Sequence, residues 1–124
     1  MAAFLSIVVP WAGESDLAPA LAALTGLNLS IMRRHALPQL YDSGVRYQRE
    51  AIAHGRPREQ WLTAPVVLSR GAGDCEDLCC YRAAELRLKG IAAIAMARPS
   101  SVGWHIVVKY PDGQIEDPSR KLGM

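Results

Sequence analysis

The stretch from Gly73 to Gly90 specifies a helix more completely than any other part of the chain. Asp74 is a good N-cap, Asp77 stands three residues later as a capping-box acid, and Gly90 supplies a stop, so the pattern predicts a helix over Asp74 to Lys89. Within it Cys75, Cys79, Ala83, Leu86 and Gly90 recur at helical spacing, which predicts one buried stripe with Cys80 off it. Gly71 and Gly73 let the backbone approach tightly just before the first turn. Such a helix needs apolar partners, and the remaining segments have to provide them.

Those segments fall into two kinds. Glu14-Ser15-Asp16 opens a helical run with apolar residues at Leu17, Ala20, Leu21, Leu24, Leu27 and Ile31, with Gly26 as a place where it can divide. Arg33, Arg34 and His35 complement its C-terminus, and Pro38 ends it. Pro38 to Tyr47 reads as a loop built on Asp42-Ser43-Gly44, Gln48 to His54 as a short helix, and Arg58 to Leu62 as another helical turn carrying Trp61. Pro65 to Leu68 is a short apolar run. After the central helix come three strand-like runs, Ile91 to Ala97, Trp104 to Tyr110 and Gln114 to Asp117. Helices followed by an antiparallel meander give the class α+β, and 124 residues without repeat or linker make residues 1–124 one domain.

Charge and cysteine content exclude several functions. Fourteen Lys+Arg against twelve Asp+Glu leave a net charge of +2, and the basic residues are dispersed, so no nucleic-acid footprint is present. The three cysteines lie within six residues, at Cys75, Cys79 and Cys80, where no disulfide framework can be built; reduced thiols point to a reducing, cytoplasmic compartment. Met1 to Pro10 is apolar but lacks the basic start of a signal peptide and reads as a strand or extended arm. No window is long and apolar enough for a membrane span.

Cys75 is the chemically distinctive cysteine. In the first turn of a helix, unpaired N–H groups and the positive end of the helix dipole favour a thiolate, and the same N–H groups are candidate oxyanion donors. Cys79 and Cys80 read as small buried residues. A zinc site from the three cysteines and His105 lacks paired-ligand spacing and would consume the nucleophile. Of the three histidines, His35 and His54 occupy capping or surface positions, whereas His105 opens an alternating strand with Val107 and Lys109 on its face. Tyr110-Pro111-Asp112-Gly113-Gln114 reads either as a two-residue Asp-Gly hairpin or as a three-residue loop with Gly113 left-handed; proline at the first central position favours the latter. The three-residue loop puts Tyr110 opposite Gln114 and Val107 opposite Asp117, making Asp117 a same-face diagonal neighbour of His105; a one-residue slip would turn it away. Cys75, His105 and Asp117 then supply nucleophile, base and orienting acid.

The Trp61 segment, the block Gly71-Ala72-Gly73-Asp74-Cys75-Glu76-Asp77-Leu78, then Trp104-His105-Ile106-Val107-Val108 and Glu116-Asp117-Pro118-Ser119, together resemble the transglutaminase-like superfamily of cysteine peptidases, within it the small bacteriophage-encoded members. The resemblance is closest over residues 61–119, and Tyr41 to Tyr47 and the C-terminal residues 117–124 share it. It implies a papain-like core, with N-terminal helices and a catalytic helix packed on a small antiparallel sheet, and a Cys75-His105-Asp117 triad. It also implies hydrolysis of a peptide or isopeptide bond, a protein or peptide substrate and a phage or host protein as partner. Transamidation, deamidation and a non-catalytic binding or assembly module are the alternatives, since the transfer reactions share one thioester and differ in the acceptor. Calcium-dependent relatives imply Ca²⁺ at Asp74 and Glu76, which would relieve the repulsion that Asp74, Glu76 and Asp77 exert on a thiolate, although the reaction itself requires no cofactor. Gly73, Trp61 and Tyr47 are the candidates for oxyanion or substrate contacts, with core packing as the plain alternative for Trp61.

Overall fold

A computed structural model describes residues 14–49, 60–101 and 103–124. The expectations for Met1 to Pro10, for the greater part of Gln48 to His54 (His54 included) and for Arg58 and Glu59 lie outside these residues. The chain runs α1 (Glu14–Arg34), a 3-10 turn (Leu40–Asp42), β1 (Arg46–Tyr47), α2 (Ala64–Arg70), β2 (Ala72–Gly73), α3 (Cys75–Leu88), β3 (Ile94–Ser100), β4 (Gly103–Lys109), β5 (Ile115–Glu116) and α4 (Pro118–Lys121). Helices thus precede a three-stranded antiparallel sheet of order β3-β4-β5, and β1 and β2 form a separate parallel pair. This is a mixed α and β architecture.

α1 is continuous through Gly26. That glycine is exposed and costs the helix about 1 kcal/mol, which the burial of Leu17, Leu21, Leu24 and Met32 along one stripe outweighs. The stripe is rotated from the one expected. Leu27 is half exposed, while Asn28 is fully buried and its Oδ1 accepts the Ala64 N–H at 2.8 Å, at the start of α2. A polar residue on the buried stripe is accommodated because it satisfies an orphan donor at a distant helix start.

α3 differs from the single-stripe expectation in a larger way. Almost every residue from Glu76 to Leu86 is buried, Cys80 included, while Gly90 is exposed with φ +89°. The reason is that α3 is the middle layer. One side joins Met32, Leu40, Val45, Leu62, Val67, Leu78 and Tyr81; the other joins Leu21, Leu24, Cys79, Cys80, Leu86, Ile106 and Val108 beneath the sheet. A helix with a core on both sides shows no clean amphipathic period.

Three local readings need correction. Gln60 to Thr63 is irregular rather than helical, tied down by Leu62 N–H donating to Asp77 Oδ1 at 2.7 Å. The apolar run at Pro65 is the helix α2, with Pro65 in its first turn and left-handed Gly71 at its end. The Pro38 to Tyr47 loop contains the 3-10 turn and β1, which pairs in parallel with β2 through Arg46↔Ala72 and Tyr47↔Gly73. The three-stranded meander is present, but β3 is shifted to Ile94–Ser100 from the expected Ile91 to Ala97, β4 runs Gly103–Lys109, and β5 is shortened to Ile115–Glu116, with Asp117 beyond it.

Candidate active site

The hairpin between β4 and β5 decides where Asp117 goes. Gly113 N–H donates to Tyr110 O at 2.9 Å, Tyr110 N–H donates to Gln114 O at 2.9 Å, and Gly113 has φ +90°. This is the three-residue loop. The ladder pairs Val108 with Glu116 and Lys109 with Ile115, so Asp117 falls on the face of His105. The imidazole Nε2 lies 2.8 Å from Asp117 Oδ2, with 16% and 14% of the two side chains exposed. A carboxylate only accepts, so Nε2 carries the proton and Nδ1 is the ring nitrogen left for chemistry. Asp117 also caps α4, its carboxylate accepting from Arg120 N–H. The Asp117-Pro118 pair is an N-cap followed by proline at the first helical position, a signal legible in the sequence that the strand reading passed over.

Cys75 occupies the first position of α3 and packs against β4 at the residue beside His105. The Ile106 N–H donates to Cys75 Sγ, and Cys79 Sγ donates to Ile106 O at 3.2 Å. On β4, Ile106, Val108 and Tyr110 direct their backbone groups to the β5 side, but β5 pairs only as far as Val108. Two sulfurs one helical turn apart take the place of the missing ladder partners. Cys79 and Cys80 are both fully buried, and Cys80 Sγ lies 3.5 Å from Leu21 O, on a different course from Cys79. Both are packing residues, as expected.

The electrostatics at Cys75 run against the expectation of a lowered thiol pKa. Burial pushes the thiol well above the ordinary cysteine range, the Glu76 carboxylate pushes it further, and Asp74 adds to both; only the Ile106 N–H works the other way. Sγ donates to Glu76 Oε2 at 3.4 Å, while the His105 ring, held by Asp117, makes no hydrogen bond to the sulfur. The helix N-terminus is also less available than its position suggests. Asp74 Oδ1 accepts the Cys75 N–H at 2.7 Å, and the capping box engages the Asp77 N–H as well. The Cys75 N–H is therefore not a free oxyanion donor.

The candidate oxyanion and substrate residues gather near the thiol. Tyr47 hydrogen-bonds Asp74 through its hydroxyl; burial first, then the neighbouring Asp74 and Cys75, raise its pKa. Trp61 is half-buried and packs on the same cluster as Cys75, the packing reading. A Cβ at Gly73 would stand 3.0 Å from Asp77 Cβ and 3.3 Å from Leu78 Cδ2, so glycine there permits a close approach of strand to helix. An open cleft of about 390 Å³ lies at the other end of the pair, beside Asp117, between Tyr110, Glu116, Arg120 and Lys121.

Asp74, Cys75 and Glu76 bring one donor atom each within 4.8 Å of one another. They do not fit Ca²⁺. That ion takes six to eight oxygens, whereas this cluster offers two carboxylates and a thiol, and the Asp74 carboxylate already serves the Cys75 and Asp77 N–H groups and the Tyr47 hydroxyl. No described helix is long and apolar enough to cross a membrane. Comparison with protein-family models, with curated proteins and with solved structures finds no match to this chain.

Proposed function

We propose that this chain is a thiol-dependent acyl-transfer enzyme of transglutaminase-like type, cleaving a peptide or isopeptide bond with Cys75 as nucleophile, His105 as base and then acid, and Asp117 as orienting carboxylate. The observation that carries the reading is the 2.8 Å His105–Asp117 bond, on a strand whose next residue contacts the Cys75 sulfur. A histidine locked through Nε2 by a carboxylate, with a cysteine at a helix start against the same strand, is an arrangement suited to moving a proton between sulfur and substrate.

Because the thiol is held neutral, deprotonation accompanies attack rather than preceding it. His105 Nδ1 takes the Sγ proton as sulfur bonds to the carbonyl carbon; the C–N bond then breaks, and the same nitrogen returns the proton to the departing amine, leaving a thioester. Water, or an amine in the transamidase variant, attacks the thioester carbonyl carbon while His105 accepts its proton; the C–S bond then breaks and His105 returns the proton to Sγ, which releases the acyl product and regenerates Cys75. Asp117 holds the ring through Nε2 and stabilises the imidazolium that forms. The substrate is a protein or peptide, and the resemblance suggests a phage or host protein in a reducing cytoplasm.

The Glu76 contact favours a second reading, a non-catalytic binding or assembly module on the same fold, because a thiol bonded to a carboxylate is a poor nucleophile. Iodoacetamide alkylation over a pH series separates the two. The enzyme reading expects Cys75 to be labelled ahead of Cys79 and Cys80, and His105→Ala to slow acyl transfer on a peptide-amide library by about 10²–10⁴-fold. Labelling of Cys75 that is indifferent to His105→Ala, with no thioester trapped at Cys75, would sink it.

A further inference from the structure

We propose that Arg82 and Glu116 are a positioning pair that sets the Asp117 carboxylate, and through it the His105 ring, relative to Cys75; the proposal rests on the acyl-transfer reading above. Asp117 needs such a device. Its strand pairs with β4 through only two residues, Ile115 and Glu116, and Asp117 itself lies past the last ladder pair with φ −118° and ψ 88°. Rotation at that point would swing the carboxylate away from the imidazole.

The preceding residue is held instead by side chains. Glu116 accepts hydrogen bonds from Arg82 Nε at 2.7 Å, from the Tyr41 hydroxyl at 2.5 Å and from the Tyr110 hydroxyl at 2.6 Å. The Arg82 guanidinium also lies over the Tyr41 ring, 4.9 Å from its centroid, and reaches Glu85 at 3.5 Å. With 15% and 10% of the two side chains exposed, the pair is shielded from solvent and geometrically defined. Arg82 stands seven residues after Cys75, two turns along the same face of α3 and about 10 Å away along the axis. One helix therefore delivers the nucleophile from its first turn and clamps the residue next to the orienting acid from its third. The distance between the two halves of the site is then set by a rigid rod and an ion pair on one side of Asp117 and by the α4 cap on the other, more than by a two-residue strand.

The test uses the full chain, labelled with ¹⁵N, as wild type, Glu116→Gln, Tyr41→Phe and Arg82→Lys. Two quantities are read: the hydrogen-bonded His105 Nε2–H proton resonance, and the pH profile of Cys75 alkylation by iodoacetamide. The expected result is loss of the resonance and a displaced alkylation profile in Glu116→Gln, with partial retention of both in Arg82→Lys, which keeps a cation. A folded Glu116→Gln that melts earlier but keeps resonance and profile overturns the proposal, since the network would then be structural only. Should Glu116→Gln fail to fold, Tyr41→Phe removes one of the three bonds and leaves the ion pair; an unbroadened resonance there overturns it equally. The resonance reports the His105–Asp117 bond whether or not Cys75 reacts, so failure of the acyl-transfer reading, seen as alkylation indifferent to His105→Ala, is distinguishable from failure of this one.

Discussion

α3 carries two charged neighbourhoods two turns apart, and they are electrostatic opposites. At its first turn Asp74 and Glu76 flank a buried thiol, and burial with the two carboxylates outweighs the Ile106 N–H that favours ionisation. At its third turn carboxylates gather around a guanidinium, and Glu116 ionises more readily than usual: burial works against it, but hydrogen bonds from Arg82, Tyr110 and Tyr41 outweigh burial and bring its pKa down to about 2. Burial is common to both. What differs is how closely a compensating cation and other donors engage the group: Glu116, with Arg82 at 2.7 Å and two hydroxyls, is fixed as a charge, whereas Glu85, which the same guanidinium reaches at 3.5 Å, is still pushed up by burial.

The largest effect expected from breaking this contrast is at the arginine. Arg82→Met leaves the Glu116 and Glu85 carboxylates shielded without their cation, so urea unfolding at pH 7 should show a loss of about 3–5 kcal/mol. Acid should break the same end in a graded way. The folded Glu116 pKa lies below the ordinary value of 4.5, so its contribution is complete above pH 4.5 and is lost as pH falls through about 2; the loss is on the order of 3 kcal/mol. Melting temperatures across that range should fall steeply in the wild type and less in Glu116→Gln.

The thiol end is probed by smaller changes. Gly73→Ala forces a methyl to 3.0 Å from Asp77 Cβ and should cost about 1–3 kcal/mol by thermal melting, with the capping box loosened. Glu76→Gln removes the largest charge opposing the thiolate while leaving burial, the larger cause, intact. Iodoacetamide labelling of Cys75 should speed up by up to about tenfold, equivalent to one pKa unit, with the thiol still titrating above an ordinary cysteine. If labelling is unchanged, the contrast between the two neighbourhoods does not rest on charge.

Legibility in the sequence followed the range of the interaction concerned. The α3 helix and its capping box lie within a few residues of one another, so Asp74, Asp77 and Gly90 were enough. The hairpin register was equally local, since Pro111, Asp112 and Gly113 fix the loop and the alternation of strands then carries Asp117 to the face of His105. What stayed hidden required two distant segments. Asn28 capping α2, β1 running parallel to β2, and Arg82 reaching Glu116 all join residues more than 25 positions apart.

The thiol shows the division most clearly. From the sequence alone, Cys75 follows an N-cap and opens a helix, and short-range physics there favours a thiolate. Only the tertiary structure decided otherwise, by closing a second core over α3, turning the Glu76 carboxylate onto the sulfur and engaging the Cys75 N–H with Asp74. Helix caps and hairpin loops are set by neighbours along the chain. Burial, and with it the sign and size of every charge effect, is set by what the rest of the chain brings alongside.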